Sequence, residues 1–388
     1  MNYVYISPHF PPNFYNFCVR LKEAGANVLG LADEYYDNLK PELKWALKEY
    51  YRIENMHSYE QLISACGYFT HRYGKIDRID SHNEYWLQTE ANLRTDFNVF
   101  GVKNDQILDI KHKSRMKKKF MEAGVEVARG TLINRKEDAL DFIKQVGYPV
   151  VAKPDNGVGA ANTYKIHNKE ELDSFLSSRH QTVYIMEEFI EGKIFTFDGL
   201  VDKNGNLVFY TSHTYSDGIM EAVNDDAHVY YYSLRDIPAD LEDAGRKTLK
   251  AFDVKEKIFH FEFFRRKQDN KIVALEVNMR PPGGLTTDMF NFANDIDIYR
   301  EWANVVLYNE FRAPYSRRYH CCYIGRKNSK NYVHSHDAIM SEFGDKIAHH
   351  EQIFSVFSAA LGDYGYLARA ETIDQINEVV DFVHQIKK

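Results

Sequence analysis

Two runs, Phe259-His-Phe-Glu-Phe-Phe264 and Val273-Ala-Leu-Glu-Val-Asn278, flank the polar Lys267-Gln-Asp-Asn-Lys271 and constrain the fold more than any other part of the chain. Side chains alternate faces along a strand, so the spacing predicts a β-hairpin. Phe259, Phe261, Phe263, Val273, Leu275 and Val277 are expected on one face, and His260, Glu262, Glu276 and Asn278 on the other. A turn centred on Asp269 sets Glu262 opposite Glu276 and His260 opposite Asn278. Carboxylates facing each other about 5 Å apart repel unless a cation lies between them. A hard divalent ion takes oxygen ligands, and Mg²⁺ is usually held by one or two carboxylates together with substrate phosphates. An outer sheet face with ordinary surface glutamates is the simpler alternative, but Arg280 and the Pro281-Pro-Gly-Gly284 run that follows weigh against it.

Bulk properties narrow the class. The chain has 388 residues, enough for two or three cores, with 44% hydrophobic and 27% charged residues. No run has the length of a membrane-spanning helix, and Met1-Asn-Tyr-Val-Tyr-Ile6 lacks the pattern of a signal peptide, so no membrane partner and a cytoplasmic location are expected. Cys18, Cys66, Cys321 and Cys322 show no metal-ligand spacing and read as reduced packing residues. A net charge of −7 argues against a nucleic-acid partner. The exception is the basic run Lys111-His-Lys-Ser-Arg-Met-Lys-Lys-Lys119, read as a helix with a solvated face and one lysine turned inward to a phosphate.

The first hundred residues alternate strand and helix signals: Tyr3–Ile6, a helix over 14–24, Asn27–Leu31, helices near 41–50 and 58–69, and a strand-like 75–79. That order predicts a small parallel sheet. Ser7-Pro-His-Phe-Pro11 reads as a proline-rich turn after the first strand. From about Lys113 the pattern becomes mixed α and β, with a hairpin turn at Asp202-Lys-Asn-Gly-Asn206.

Two further stretches suggest a nucleotide. Val150-Val-Ala-Lys-Pro-Asp-Asn-Gly-Val-Gly159 is a strand ending in Lys153, with Gly157 and Gly159 in the loop beyond it. A lysine can meet phosphate there, while glycines let backbone N–H groups approach the same oxygens. Glu187-Glu-Phe-Ile-Glu-Gly192 ends an apolar strand and can offer backbone groups to an adenine edge and an acidic side chain to sugar hydroxyls. Each is weak alone, and an ordinary loop explains either.

Taken in order, Lys113, Val151-Ala-Lys-Pro154 with its glycine loop, Glu187-Glu-Phe-Ile-Glu-Gly192, Glu262, Glu276-Val-Asn278 and Arg280 resemble the ATP-grasp superfamily, in its carboxylate-amine ligase branch. The resemblance implies an α/β and α+β chain: two α+β subdomains gripping ATP over residues 101–310, a small Rossmann-like parallel-sheet domain over 1–100, and an accessory α+β subdomain over 311–388. It implies ATP contacts from Lys113, Lys153, Gly157, Gly159 and the segment Glu187, Glu188, Phe189, Ile190 and Glu191. It also implies Mg²⁺, with Mn²⁺ as the alternative ion, on Glu262, Glu276 and Asn278. Arg280 would hold the transferred phosphoryl group and the oxyanion of the following step, with Gly283 and Gly284 beside the substrate carboxylate. Many relatives have an acidic ribose ligand seven residues past the first glutamate of the adenine segment. Here that position is Ile194, and Glu191 is the substitute.

The expected activity is ATP-dependent joining of a small carboxylate to an amine through an acyl phosphate, releasing ADP and phosphate, in a chain that forms a homodimer. Two alternatives remain at this point: an ATP-binding regulatory protein with a grasp fold, or a bicarbonate-using carboxylase or carbamoyl-phosphate-type synthetase.

Overall fold

The computed structural model describes residues 1–157, 162–178, 182–215 and 227–387, and these form three sheets. The first is parallel, in the order β3-β2-β1-β4, from β1 (Asn2–Ile6), β2 (Asn27–Ala32), β3 (Glu49–Arg52) and β4 (Arg78–Asp80). Tyr3, Val4, Tyr5 and Ile6 are all fully buried because helices cover both faces. Tyr3 and Tyr5 pack in a core with Phe14, Phe17 and Leu21, whereas Val4 and Ile6 pack with Leu62, Cys66 and Phe69. The helix expected over 41–50 stops at Ala46, and Glu49–Arg52 instead joins β2 as an edge strand, pairing overriding local propensity.

The second sheet is antiparallel, in the order β5-β8-β6-β7: β5 (Gly130–Ile133), β6 (Val150–Pro154), β7 (Tyr164–Ile166) and β8 (Tyr184–Glu188). The third contains β9 (Gly192–Val201), β10 (Leu207–Thr211), β11 (His213–Tyr215), β12 (Val229–Ser233), β13 (Lys257–Arg266), β14 (Ile272–Asn278), β15 (His320–Arg326), β16 (Ile347–Gln352) and β17 (Tyr364–Ala370). β15 pairs with β12, so this sheet runs across the division expected near residue 310. The helix Ile298–Tyr308 packs Trp302 and Val305 into the same core as Tyr3 and Phe17, which fastens the parallel layer to the large sheet.

β13 and β14 form the expected hairpin, with His260 opposite Asn278 and Glu262 opposite Glu276. The facing of the inner positions differs from expectation. Beyond Glu262 the register shifts, so Phe263 pairs with Ala274 and Leu275 is the extra residue of a β-bulge. Ala274 therefore joins Phe259, Phe261, Phe263 and Val277 in the core, while Val273 turns to the other side with Phe264, Ile190 and Ala128.

Candidate active site

The helix Lys113–Glu122 lies against β14 and brings its first residues to the acidic face of the hairpin. Asp155, just past β6, accepts from the Ser114 N–H at 2.7 Å and the Ser114 hydroxyl at 3.1 Å, and its own carbonyl accepts from the Lys113 N–H at 2.9 Å. The start of the helix is thereby fixed to the loop that follows Lys153. Lys113 is buried; its Nζ lies 3.0 Å from Glu276 and donates to the Gly157 carbonyl at 3.3 Å. Gly159 lies outside the described residues.

Lys153 reaches Glu187 at 2.9 Å, and Lys117 reaches the other oxygen of the same carboxylate at 2.8 Å. Burial alone would raise the Glu187 carboxyl, but the two lysines prevail and hold it at about 2. One carboxylate cannot fully serve two lysines. Burial lowers Lys117 despite Glu187, whereas for Lys153 burial is outweighed by Glu187, Glu276 and Glu262, which raise it. The trio carries a net positive charge, a feature suited to an anion.

Across the hairpin the acids differ. Glu276 is raised, first by burial and then by Glu262 and Glu84, with Lys113 opposing. Glu262 is lowered: burial is overcome by His260, whose Nε2 donates to it at 3.1 Å. His260 Nδ1 donates to the fully buried Asp198 at 2.6 Å, and this charge outweighs burial to hold His260 at about 9. His213 Nδ1, 2.8 Å away, and the Thr196 hydroxyl complete the partners of Asp198. Asn278 is buried on the same face, with its Oδ1 3.4 Å from Arg280. Two carboxylates and an amide offer a hard cation only oxygen. Among the described residues no three acidic, histidine or cysteine side chains gather to hold a metal unaided, so an ion here needs oxygens from another molecule such as phosphate.

Arg280 pairs with Glu84 at 2.7 Å, donates to the Pro281 carbonyl at 3.0 Å, and keeps its charge because Glu84 outweighs its burial. Gly283 has open space where a Cβ would project, whereas Gly284 takes a left-handed φ of 60° and a Cβ there would meet Leu361 at 2.6 Å.

The segment 187–191, expected to meet adenine, divides. Glu187 lies within β8 and turns inward to the lysines, which removes its side chain from any sugar contact in this arrangement. Glu188 is held by Arg129 at 2.6 Å, Phe189 lies under Lys165 at 3.8 Å, Ile190 is buried with Val273, and Glu191 pairs with Lys267 at the surface. Ile194 pairs with Phe264 on β13, two residues before Thr196, which lies opposite Glu262.

Residues 146–288 match the family model described as an ATP-grasp domain. The chain contains an ATP-grasp domain. Among curated proteins, the L-arginine-specific L-amino acid ligase of Bacillus subtilis is 25% identical over 246 residues, 61% of this chain and 59% of that protein, so the chain spans less than two thirds of the relative. Among solved structures, an L-amino acid ligase from Bacillus licheniformis superimposes with a TM-score of 0.74 at 14% identity, covering 100% of this chain and 98% of that one. The biotin carboxylase domain dimer of Hydrogenobacter thermophilus 2-oxoglutarate carboxylase, solved with MgADP, ADP and bicarbonate, gives 0.72 at 15% identity over 99% and 90%. At these identities the structures share the fold of the ATP-grasp domain and its flanking layers.

Lys117, Glu84 and Asp198 were not anticipated. Lys117 follows Lys113 by four residues, the spacing of one helix face, and this signal was available. Asp198 interrupts the apolar Ile194–Val201 run, a second available signal. Glu84 has no local signature, since its partner lies 196 residues away. All four cysteines are buried and free, and among the described residues no helix is long and apolar enough to cross a membrane.

Proposed function

We propose that the protein is an ATP-dependent ligase that joins a small carboxylate to an amine, with Mg²⁺ as its ion. The observation that carries this reading is the meeting of buried Lys113 and Lys153 with the facing Glu262 and Glu276 at one end of the hairpin. The names of its ligase relatives make amino acids the first substrates to test.

In the first step a carboxylate oxygen of the substrate forms a bond to the γ-phosphorus of ATP, the bond to the bridging oxygen breaks, and ADP leaves an acyl phosphate. Two anions must approach, so the barrier is largely electrostatic. Lys113 and Lys153 supply fixed positive charge to the phosphates, and Glu187 keeps Lys153 protonated and in place until the nucleotide arrives. Glu262, Glu276 and Asn278 would hold Mg²⁺, which when bound neutralises phosphate oxygens. Arg280, positioned by Glu84, faces the transferred group. In the second step the amine nitrogen attacks the acyl carbon, the C–O bond to phosphate breaks, and phosphate leaves as the nitrogen loses a proton. Arg280 and the amides around Gly283 and Gly284 stabilise the oxyanion that forms between these events. The functional unit is proposed to be a homodimer in the cytoplasm.

The test combines ATP, a panel of amino acids and dicarboxylates, and hydroxylamine. Hydroxamate formed in step with ADP supports the reading, and neither product with any carboxylate refutes it.

A further inference from the structure

A cavity of about 380 Å³ opens where three distant stretches meet: Pro11–Asn13 after β1, the Gly284–Leu285 step that follows Arg280, and the segment from Glu351 to Leu361 after β16. Its size suits a ligand no larger than a dipeptide. Phe354 and Phe357 form one wall, and Phe10 braces both, with ring centroids 5.9 and 5.6 Å away. Phe354 is 53% exposed, a large apolar surface left beside an opening of its own dimensions. The charged residues of the lining are Lys40 and Glu351. Lys40 donates to the Pro12 carbonyl at 2.9 Å, and Glu351 lies 3.0 Å from His349 Nε2.

Gly284, which lines the cavity, follows Arg280 by four residues and is the point the cavity shares with the ligase site. Tyr231 lies 4.0 Å from where a Cβ on Gly284 would stand, and its hydroxyl shares a 2.8 Å hydrogen bond with Thr286. Its ring packs on Tyr215 at 5.0 Å; burial and then the nearby Glu262 charge push the Tyr215 hydroxyl up, while Arg280 opposes. A ligand in the cavity therefore meets Gly284 at one point of the lining and the rings of Phe354 and Phe357 at another.

We propose that this cavity is the acceptor pocket, which takes an amine bearing a flat apolar side chain and a carboxylate, an aromatic α-amino acid, with the ring against Phe354 and Phe357 and the carboxylate toward Lys40. The assignment rests on the ligase reading above. Aromatic rings offer the incoming ring offset or edge contacts.

The experiment compares two acceptors in the full-length protein: L-phenylalanine, which needs the pocket, and hydroxylamine, which does not. Phe354→Asp is expected to raise the KM for L-phenylalanine about tenfold or more, leaving the KM for ATP and the rate of hydroxamate formation unchanged. Unchanged hydroxamate formation also shows that the variant is folded. Val356→Asp, on the same segment, 63% exposed and not facing the cavity, is expected to behave as the parent protein. An unaltered KM for L-phenylalanine in Phe354→Asp, or a parent protein that uses glycine better than L-phenylalanine, overturns the assignment while hydroxamate formation leaves the ligase reading standing. Absence of hydroxamate with every carboxylate overturns the ligase reading and this assignment together.

Discussion

Two buried charge clusters lie along one strand, and they are built differently. At the start of β13, Lys257 binds Asp80 at 2.8 Å and lies 3.7 Å from Glu90, while Arg94 binds Glu90 at 2.8 Å and Asp80 at 3.3 Å. Two acids meet two bases, and backbone N–H groups of Ser81 and His82 take up further carboxylate oxygens. Asp80 is held well below the usual carboxylate range because Lys257, His82 and Arg94 outweigh its burial. Five residues on, around Glu262, the balance is incomplete. Glu187 is divided between Lys117 and Lys153, Glu276 is raised, and the Glu262 and Glu276 side chains keep 18% and 19% exposure. A closed cluster fastens the parallel layer to the large sheet; an open one has charge left over for a ligand. Burial of charge by itself therefore does not mark a site, and the unspent charge together with access does.

Breaking the closed cluster should give the largest effect. Lys257→Met leaves Asp80 and Glu90 short of a cation and is expected to cost about 3–5 kcal/mol in denaturant unfolding, with no change in the KM for ATP in the folded fraction. Glu276→Gln tests the open cluster in the opposite sense: turnover falls by at least about 100-fold while the melting temperature stays close to that of the parent. Near-normal turnover would remove Glu276 from the metal site.

The third prediction concerns His82, next to the closed cluster. Burial holds its imidazole at about 3, below the unfolded 6.5, despite Asp80, so the folded protein keeps it neutral. Its contribution to stability is complete above 6.5 and is lost as the pH falls from there toward 3, by up to about 1.4 kcal/mol per pH unit. His82→Asn, which tolerates the left-handed backbone (φ 55°), should flatten that slope in urea unfolding series at pH 4 to 7. An unchanged slope would assign the acid sensitivity elsewhere. The smallest effect is expected from Ile194→Glu, which returns an acceptor to the ribose position and should lower the KM for ATP about two- to tenfold. No change would move the ribose contact away from that position.

Much of this was legible because it depends on short-range alternation. The period-2 pattern of 259–264 and 273–278 placed Glu262 opposite Glu276, and the buried run Tyr3–Ile6 announced a parallel strand. The bulge at Leu275 was not legible, because the turn closes through Arg266 and Lys271 rather than symmetrically about Asp269. Glu84 and the Pro11–Gly284–Phe354 cavity depend on contacts between stretches far apart in the chain, 196 residues in the case of Glu84, and no local pattern encodes them.

β13 is paired along its whole length with β9, whereas β14 is the edge of its sheet. The outer side of β14 is touched by the Glu126–Val127 stretch, where the Ala274 N–H donates to the Glu126 carbonyl at 2.7 Å, and that stretch leads directly into β5. Glu262 is thus braced by a strand on each side, β9 and β14. Glu276 and Asn278 lie on the strand that meets β13 on one side and, on the other, the stretch running into the sheet of Lys153 and Glu187, so the carboxylate pair sits at the seam between the two sheets.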